Sequence, residues 1–266
     1  MAFSESRHGS TLCVVEVVRT ERISPNFMRV TLGGEQFAQL AERGYDHWFR
    51  LYLPHEDGPT DFDLPDRLDM VGYLKYLRMK SATRPPMRNY TSREFRKHAL
   101  EMDVDFVIHG DEGHATRWAT RTKPGDTVAL LDQGNGFDHD ERATHVLLVT
   151  DETGLPAVAG ILRDLPRDKR GTAIIEVGDA ADRQELDGPT GIDVHWIVRD
   201  DPHGHPGELA LGAVRAWTKP EGTLQAYLVG EQALATGARR HLVNELGVDK
   251  KAIQFVGYWK RGKGAA

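Results

Sequence analysis

The residues best equipped for chemistry are Arg88-Asn89-Tyr90-Thr91. A guanidinium can pair with a pyrophosphate, an aromatic ring can lie against a flat heterocycle, and a hydroxyl can bond that heterocycle's polar edge. Those are the needs of a flavin dinucleotide. The strand-like run from Met102 to His109 follows, and then Gly110 to Trp118 reads as a glycine turn opening a helix, where free backbone N–H groups attract phosphate. The same four residues also describe an ordinary strand end with Arg88 in a surface ion pair, and a short motif alone leaves both readings open.

The elements that must position these groups fall into two textures. From Thr11 to about Gly136 the chain is strand-like: Cys13–Val18, Phe27–Leu32, Phe49–Leu53, Asp103–His109 and Asp126–Leu131 carry β-branched or alternating residues, with Lys123-Pro124-Gly125-Asp126 as a turn. Many short strands with few helices predict a small antiparallel barrel. After about residue 140 the rhythm changes. His145–Thr150, Thr172–Val177, Val194–Val198 and Leu224–Val229 read as strands, with helical stretches at Thr153–Leu165 and Ala233–Leu246. That alternation predicts a parallel sheet covered on both faces. The expected division is a barrel domain over 1–139 and an α/β domain over 140–266.

Bulk properties bound the rest. The chain has 266 residues, 39% hydrophobic content and a net charge of −6, so its surface is not a nucleic-acid footprint. Cys13 is the only cysteine, which excludes an internal disulfide and a thiolate-rich metal or iron–sulfur site. No apolar run approaches a membrane span and MAFSESRHGS lacks the apolar stretch of a signal peptide, so a cytoplasmic protein is expected. Of twelve histidines only His203 and His205 sit close together, in a Pro/Gly turn, and no metal site is expected there.

An open parallel sheet binds ligands at the carboxyl ends of its strands. Here those ends are Thr150-Asp151-Glu152-Thr153-Gly154, Glu176-Val177-Gly178-Asp179 and Val229-Gly230-Glu231. Each also reads as a helix cap, with Asp151 or Thr153 as the N-cap and Gly230 for turn geometry. No GxGxxG follows the first strand. An acid at Glu176 or Asp179 would accept a ribose 2′-OH and favour NADH, whereas Arg183 would grip the 2′-phosphate of NADPH; the lean is toward NADH.

Barrel first and nucleotide-type domain second, with Arg-x-Tyr-Thr on a strand, is the order of the ferredoxin-reductase superfamily. Within it the chain resembles the siderophore-interacting protein family of flavin-dependent ferric-siderophore reductases. The resemblance covers nearly the whole chain. It rests on Arg84-Pro85-Pro86-Met87-Arg88-Asn89-Tyr90-Thr91, Asp105-Phe106-Val107-Ile108-His109-Gly110, Ala115-Thr116-Arg117-Trp118-Ala119 and Pro124-Gly125-Asp126. It continues through Asp151-Glu152-Thr153-Gly154-Leu155-Pro156-Ala157, Val229-Gly230-Glu231 and Gly257-Tyr258-Trp259-Lys260-Arg261-Gly262.

The resemblance implies a Greek-key FAD-binding barrel and an NAD(P)H-binding-type α/β domain. It implies that Arg88 holds the FAD pyrophosphate, that Tyr90 packs on the isoalloxazine and that Thr91 bonds its edge, with Asn89 inside the motif. His109 and Gly110 would lie at the flavin-facing strand end, and Gly113, Ala115 and Thr116 at the phosphate-binding helix start. Trp118 would sit in the first turn of that helix or equally plug helix to barrel. Asp151, Glu152 and Thr153 belong with the cofactor-binding residues, as does Trp259 if the C-terminal tail folds back toward the flavin. His114 and Thr116 stand where the family often has proline and serine, and Thr150 where it usually has glycine.

The activity so implied is reduction of Fe(III) in a siderophore to Fe(II) with NADH or NADPH, releasing iron in the cytoplasm, by a monomer with no membrane span. No general acid, nucleophile or protein-bound metal is required of the protein. Lys75, Arg78, Lys80, Arg84 and Arg88 form a run without an acid on an acidic chain, suited to steering an anionic siderophore; Lys260 and Arg261 form a second basic group. Two other readings stay open: a siderophore-binding or iron-shuttling flavoprotein without nicotinamide turnover, and a general flavin or quinone reductase. Ferredoxin is the alternative electron donor.

Overall fold

In the computed structural model, residues 11–108, 113–201 and 204–262 are described. The chain divides into two compact units. One takes Met28–Arg43, His47–Gly136 and the chain up to Ile23; the other takes Phe137 onward with Ser24–Phe27 and Gly44–Asp46.

The first unit contains β1 (Leu12–Ser24), β2 (Phe27–Gly33), β3 (His47–Tyr52), α1 (Met70–Arg78), β4 (Met87–Thr91), β5 (Glu94–Arg96), β6 (Glu101–Val107), α2 (His114–Arg121) and β7 (Thr127–Asn135). Its seven strands pair in the order β4-β3-β7-β1-β2-β6-β5, and the β1/β7, β3/β7, β3/β4 and β5/β6 pairings are antiparallel. The hydrogen-bonded order is open among the described residues. The sheet nevertheless curls: the rings of Tyr90 on β4 and Phe106 on β6 lie 4.4 Å apart, and Trp118 of α2 lies 5.4 Å from Phe106. Alternation puts Val15, Val17, Val30, Leu32, Phe49, Leu51, Val104 and Phe106 inside this curl, fully buried with Cys13. Burial, then the nearby Asp132, pushes the Cys13 thiol up to about 12.

The second unit contains β8 (His145–Thr150), α3 (Leu155–Asp164), β9 (Arg170–Val177), β10 (Gly191–Val198), α4 (Glu208–Ala216), β11 (Leu224–Glu231), α5 (Gln232–Asn244) and β12 (Ile253–Trp259). The strand order is β10-β9-β8-β11-β12, every pairing parallel. Parallel strands covered on both faces read as continuous apolar runs, as in Val146–Val149, all buried. No helix among the described residues is long and apolar enough to cross a membrane.

Candidate functional site

The Arg-Asn-Tyr-Thr segment is β4, paired antiparallel with β3: Trp48 faces Thr91, Phe49 faces Tyr90, Arg50 faces Asn89 and Leu51 faces Arg88. Opposed residues share a sheet face, so Tyr90 lies with core residue Phe49 while Asn89 lies with Arg50 on the other side. On β3 the register with β7 shifts between Trp48 and Phe49, beside the Tyr90–Thr91 pair. The buried carboxylate of Asp132 holds that irregularity. It takes His47 Nε2 at 3.0 Å, Arg43 Nη2 at 2.8 Å and the Gly134 amide at 2.9 Å. Burial alone would raise its pKa; these donors win and bring it down to about 2.

Two guanidiniums on these paired strands lack acidic partners among the described residues. Arg88 donates to its neighbour's carbonyl, Met87, at 2.7 Å and makes no ion pair among the described residues. Arg50, which the sequence reading did not single out, has a buried Nη1 without any partner, and burial lowers its pKa. Arg50 is the more informative of the two, because the atom left without a partner is also buried. The signal is tertiary, so no local motif announces it.

Behind β4, Tyr90, Phe106 and Trp118 form a continuous aromatic contact. Burial raises the Tyr90 phenol above its usual range. Trp118 is buried against the core, as a plug would be, yet its Nε1 has no acceptor. Gly113 opens α2 and offers no side chain to cap it; an added Cβ there would sit 3.3 Å from Thr116 Oγ1. Ala115 packs on the core behind that first turn. His114 binds the Pro54 carbonyl at 3.0 Å, so it ties α2 to the loop after β3. Beside α2 lies a cleft of about 570 Å³, lined by His55, Glu56, Phe62, Arg117, Trp118 and Arg121. His109 and Gly110 lie outside the described residues, as does His203.

Lys75 and Arg78 are exposed on α1, and Lys80 follows it. Arg84 is turned inward instead: it donates to the Leu77 carbonyl at 2.9 Å and lies over the Tyr76 ring.

In the second unit, Asp151 caps the turn after β8 and is wholly buried. Its carboxyl accepts from the Thr153 amide (2.9 Å), Thr153 Oγ1 (2.5 Å), the Glu231 amide (2.6 Å) and Trp259 Nε1 (3.3 Å). Burial, then Glu152, pushes it up to about 7 despite those bonds. Thr150 is also buried; its hydroxyl donates to the Asp151 carbonyl at 2.7 Å, and Gly154 leaves it room. Thus the residue replacing glycine turns into the turn instead of out of it.

Glu152 and Glu176 are both buried on Arg199, at 2.5 and 2.7 Å. Glu176 also accepts from the Gly207 and Ala210 amides at the start of α4, 2.9 and 2.8 Å away. Its carboxylate is therefore consumed by a helix N-terminus and an arginine, and is closed to a ribose. Asp179 is exposed and caps the Ala180–Asp182 turn through the Ala181 amide; Arg183 beyond it is exposed without an ion pair among the described residues.

The C-terminal segment is not a loose tail up to Trp259: it is β12, parallel to β11. Tyr258 Oη lies 3.2 Å from both Asp46 Oδ2 and Tyr227 Oη. The Arg261 amide donates to Glu231 at 3.3 Å and its guanidinium contacts His205, while Lys260 is exposed. No cluster of three metal-ligating side chains occurs among the described residues.

Family models match both halves. Residues 16–136 match the siderophore-interacting FAD-binding domain, and residues 143–262 match the siderophore-interacting protein model. The chain belongs to the siderophore-interacting protein family. A solved siderophore utilization protein from T. fusca is 33% identical, with a TM-score of 0.81 over 97% of this chain and 96% of that one. Ferric vibriobactin reductase ViuB of Vibrio cholerae is 29% identical over 94% of this chain and 90% of its own. The NADPH-dependent ferric-chelate reductase of Escherichia coli is 28% identical over 91% of both.

The family's cofactor is FAD, and the first unit fits it by its own chemistry. Among the described residues Arg88 and Arg50 lack acidic partners, the buried Trp118 Nε1 has no acceptor, α2 starts at Gly113 without a side-chain cap, and the cleft runs along the later turns of that helix at Trp118, Arg121 and Thr122.

Proposed function

We propose that the protein is an FAD-dependent ferric-siderophore reductase that takes electrons from NADPH. The observation that carries this reading is the unpaired Arg88 beside the Tyr90–Phe106–Trp118 contact in a member of this family. Bound FAD would supply the conversion of one two-electron donor into two one-electron transfers. Each NADPH would then reduce two Fe(III) to two Fe(II), leaving NADP⁺ and a proton. Hard anionic oxygens hold Fe(III) far better than Fe(II), so reduction loosens the metal.

In this reading Arg88 holds the pyrophosphate with the first-turn amides of α2, where Gly113, Ala115 and Thr116 lie. Tyr90 offers its ring, Thr91 its hydroxyl and Asn89 the adjoining surface of β4, while Trp118 backs the site. His109 and Gly110 keep the roles the motif assigns them. The side chains of Asp151, Glu152 and Thr153 act indirectly, by fixing the strand ends of the parallel sheet, with Trp259 pinned over Asp151. For the donor, Glu176 is sequestered and Asp179 is engaged as the cap of the next turn, so this reading moves from NADH to NADPH, with the exposed Arg183 supplying the charge that a 2′-phosphate seeks. Lys75, Arg78, Lys80 and Lys260 add a positive field for an anionic siderophore, with Arg261 held nearer the sheet.

The test is an absorbance spectrum of purified protein, then anaerobic reduction with NADPH or NADH and addition of a ferric siderophore. The expected results are a flavin spectrum that Arg88→Ala largely loses, faster bleaching by NADPH, and two Fe(II) per NADPH. A preparation that takes up no FAD from excess would refute the reading. Flavin that bleaches while a ferric siderophore stays oxidised would point to the quinone-reductase alternative.

A further inference from the structure

Helix α1 is packed with its apolar stripe outward. In sequence, Met70, Val71, Leu74 and Leu77 recur at helical spacing, a pattern that ordinarily faces a core. Yet Met70 is 79% exposed, Val71 61%, Leu74 44% and Leu77 43%, with Tyr73 beside them at 44%. These are five of the nine large exposed hydrophobics among the described residues, gathered on one short helix.

The opposite face anchors the helix. Tyr76 packs on Tyr52 and donates to the Pro85 carbonyl at 2.8 Å. Gly72 lies so close to the Arg67 carbonyl that a Cβ would come within 1.8 Å of it. Asp69 caps the helix through the Gly72 amide at 2.8 Å, and Arg84 closes its other end. The helix is therefore fixed in this orientation by both caps and its inner face.

Charge chooses the occupant. Lys75, Arg78 and Lys80 flank the apolar arc toward the helix C-terminus, exposed and without ion pairs among the described residues. Asp66 and Asp69 stand at the other end, so the apolar arc is rimmed by cations on one side. A nine-residue helix is only about 14 Å long. It supplies a small part of the roughly 800 Å² per partner that a stable protein complex buries. An outward apolar arc with a basic rim suits the interface of an anionic bilayer instead.

We propose that α1 is a membrane-surface contact: Met70, Val71, Leu74 and Leu77 enter the headgroup boundary while Lys75, Arg78 and Lys80 meet anionic headgroups. This does not rest on the reductase reading. It would hold the protein at a bilayer surface reversibly, because one short helix gives weak binding.

The test is co-sedimentation of the full chain with phosphatidylcholine vesicles, with or without phosphatidylglycerol, at low and high salt. Native protein is expected to bind the anionic vesicles at low salt and to leave them in about 0.5 M salt, where screening shortens to a few ångströms. Met70→Ser/Leu74→Ser/Leu77→Ser is expected to bind at least about tenfold more weakly, with an unchanged melting temperature and unchanged turnover of a soluble substrate. Equal vesicle binding by native and variant would overturn the proposal. So would absence of native binding, including a case in which α1-dependent self-association is seen instead.

Discussion

At position 151 a carboxyl is surrounded by four donors, yet burial first, and then its neighbour Glu152, keeps it from ionising easily. Unfolded, the group releases its proton near the ordinary 3.8; folded, it keeps it to about 7. Between those values the folded state binds more protons, so stability falls as pH rises through that window and is level on either side. Thermal melts of native protein and Asp151→Asn across pH 4–8 check this: the variant should show a flatter decline, and parallel curves would disprove it. At this scale the sequence was readable where chemistry is local. Asp151 as a cap follows from its neighbours in the chain, as does the Arg-Asn-Tyr-Thr motif that singles out Arg88. Arg50 and Glu176 do not, because one is defined by a missing partner and the other by amides some thirty residues ahead.

The elements repeat that contrast. Strand–helix alternation in the second unit was plain because strands covered on two faces have little choice of residue. Helix α1 escapes the sequence reading because the basic residues from Lys75 onward dominate that stretch, although its apolar positions recur at helical spacing. Strand β12 was read as a tail because only Ile253 in it is fully buried, leaving a weak pattern. The β11–α5 junction gives a test of how tightly such elements are fitted. Gly230 has φ +111°, and a Cβ there would lie 2.7 Å from the Asp151 carboxylate, itself fixed by hydrogen bonds. Gly230→Ala should cost about 2 kcal/mol or more, through both backbone strain and displacement of that carboxylate. Denaturant unfolding measures it; a loss below about 0.5 kcal/mol would mean the junction yields freely.

For the molecule as a whole, the net charge of −6 should repel an anionic iron complex, so the local positive field has to outweigh it near the approach. Changing Lys75, Arg78 and Lys80 together to Gln is expected to lower kcat/KM about threefold to tenfold for an anionic ferric siderophore, with the gap closing as salt rises. A neutral siderophore should be little affected; equal losses on both would remove the field from the account. The chain's sulfur content bears on the same chemistry. Ferrous iron in air yields peroxide and radicals, and exposed thiolates are oxidised first. With its single cysteine, Cys13, buried in the core of the first unit and held as a thiol, the chain presents no sulfhydryl to the corrosive by-products that the proposed turnover would generate.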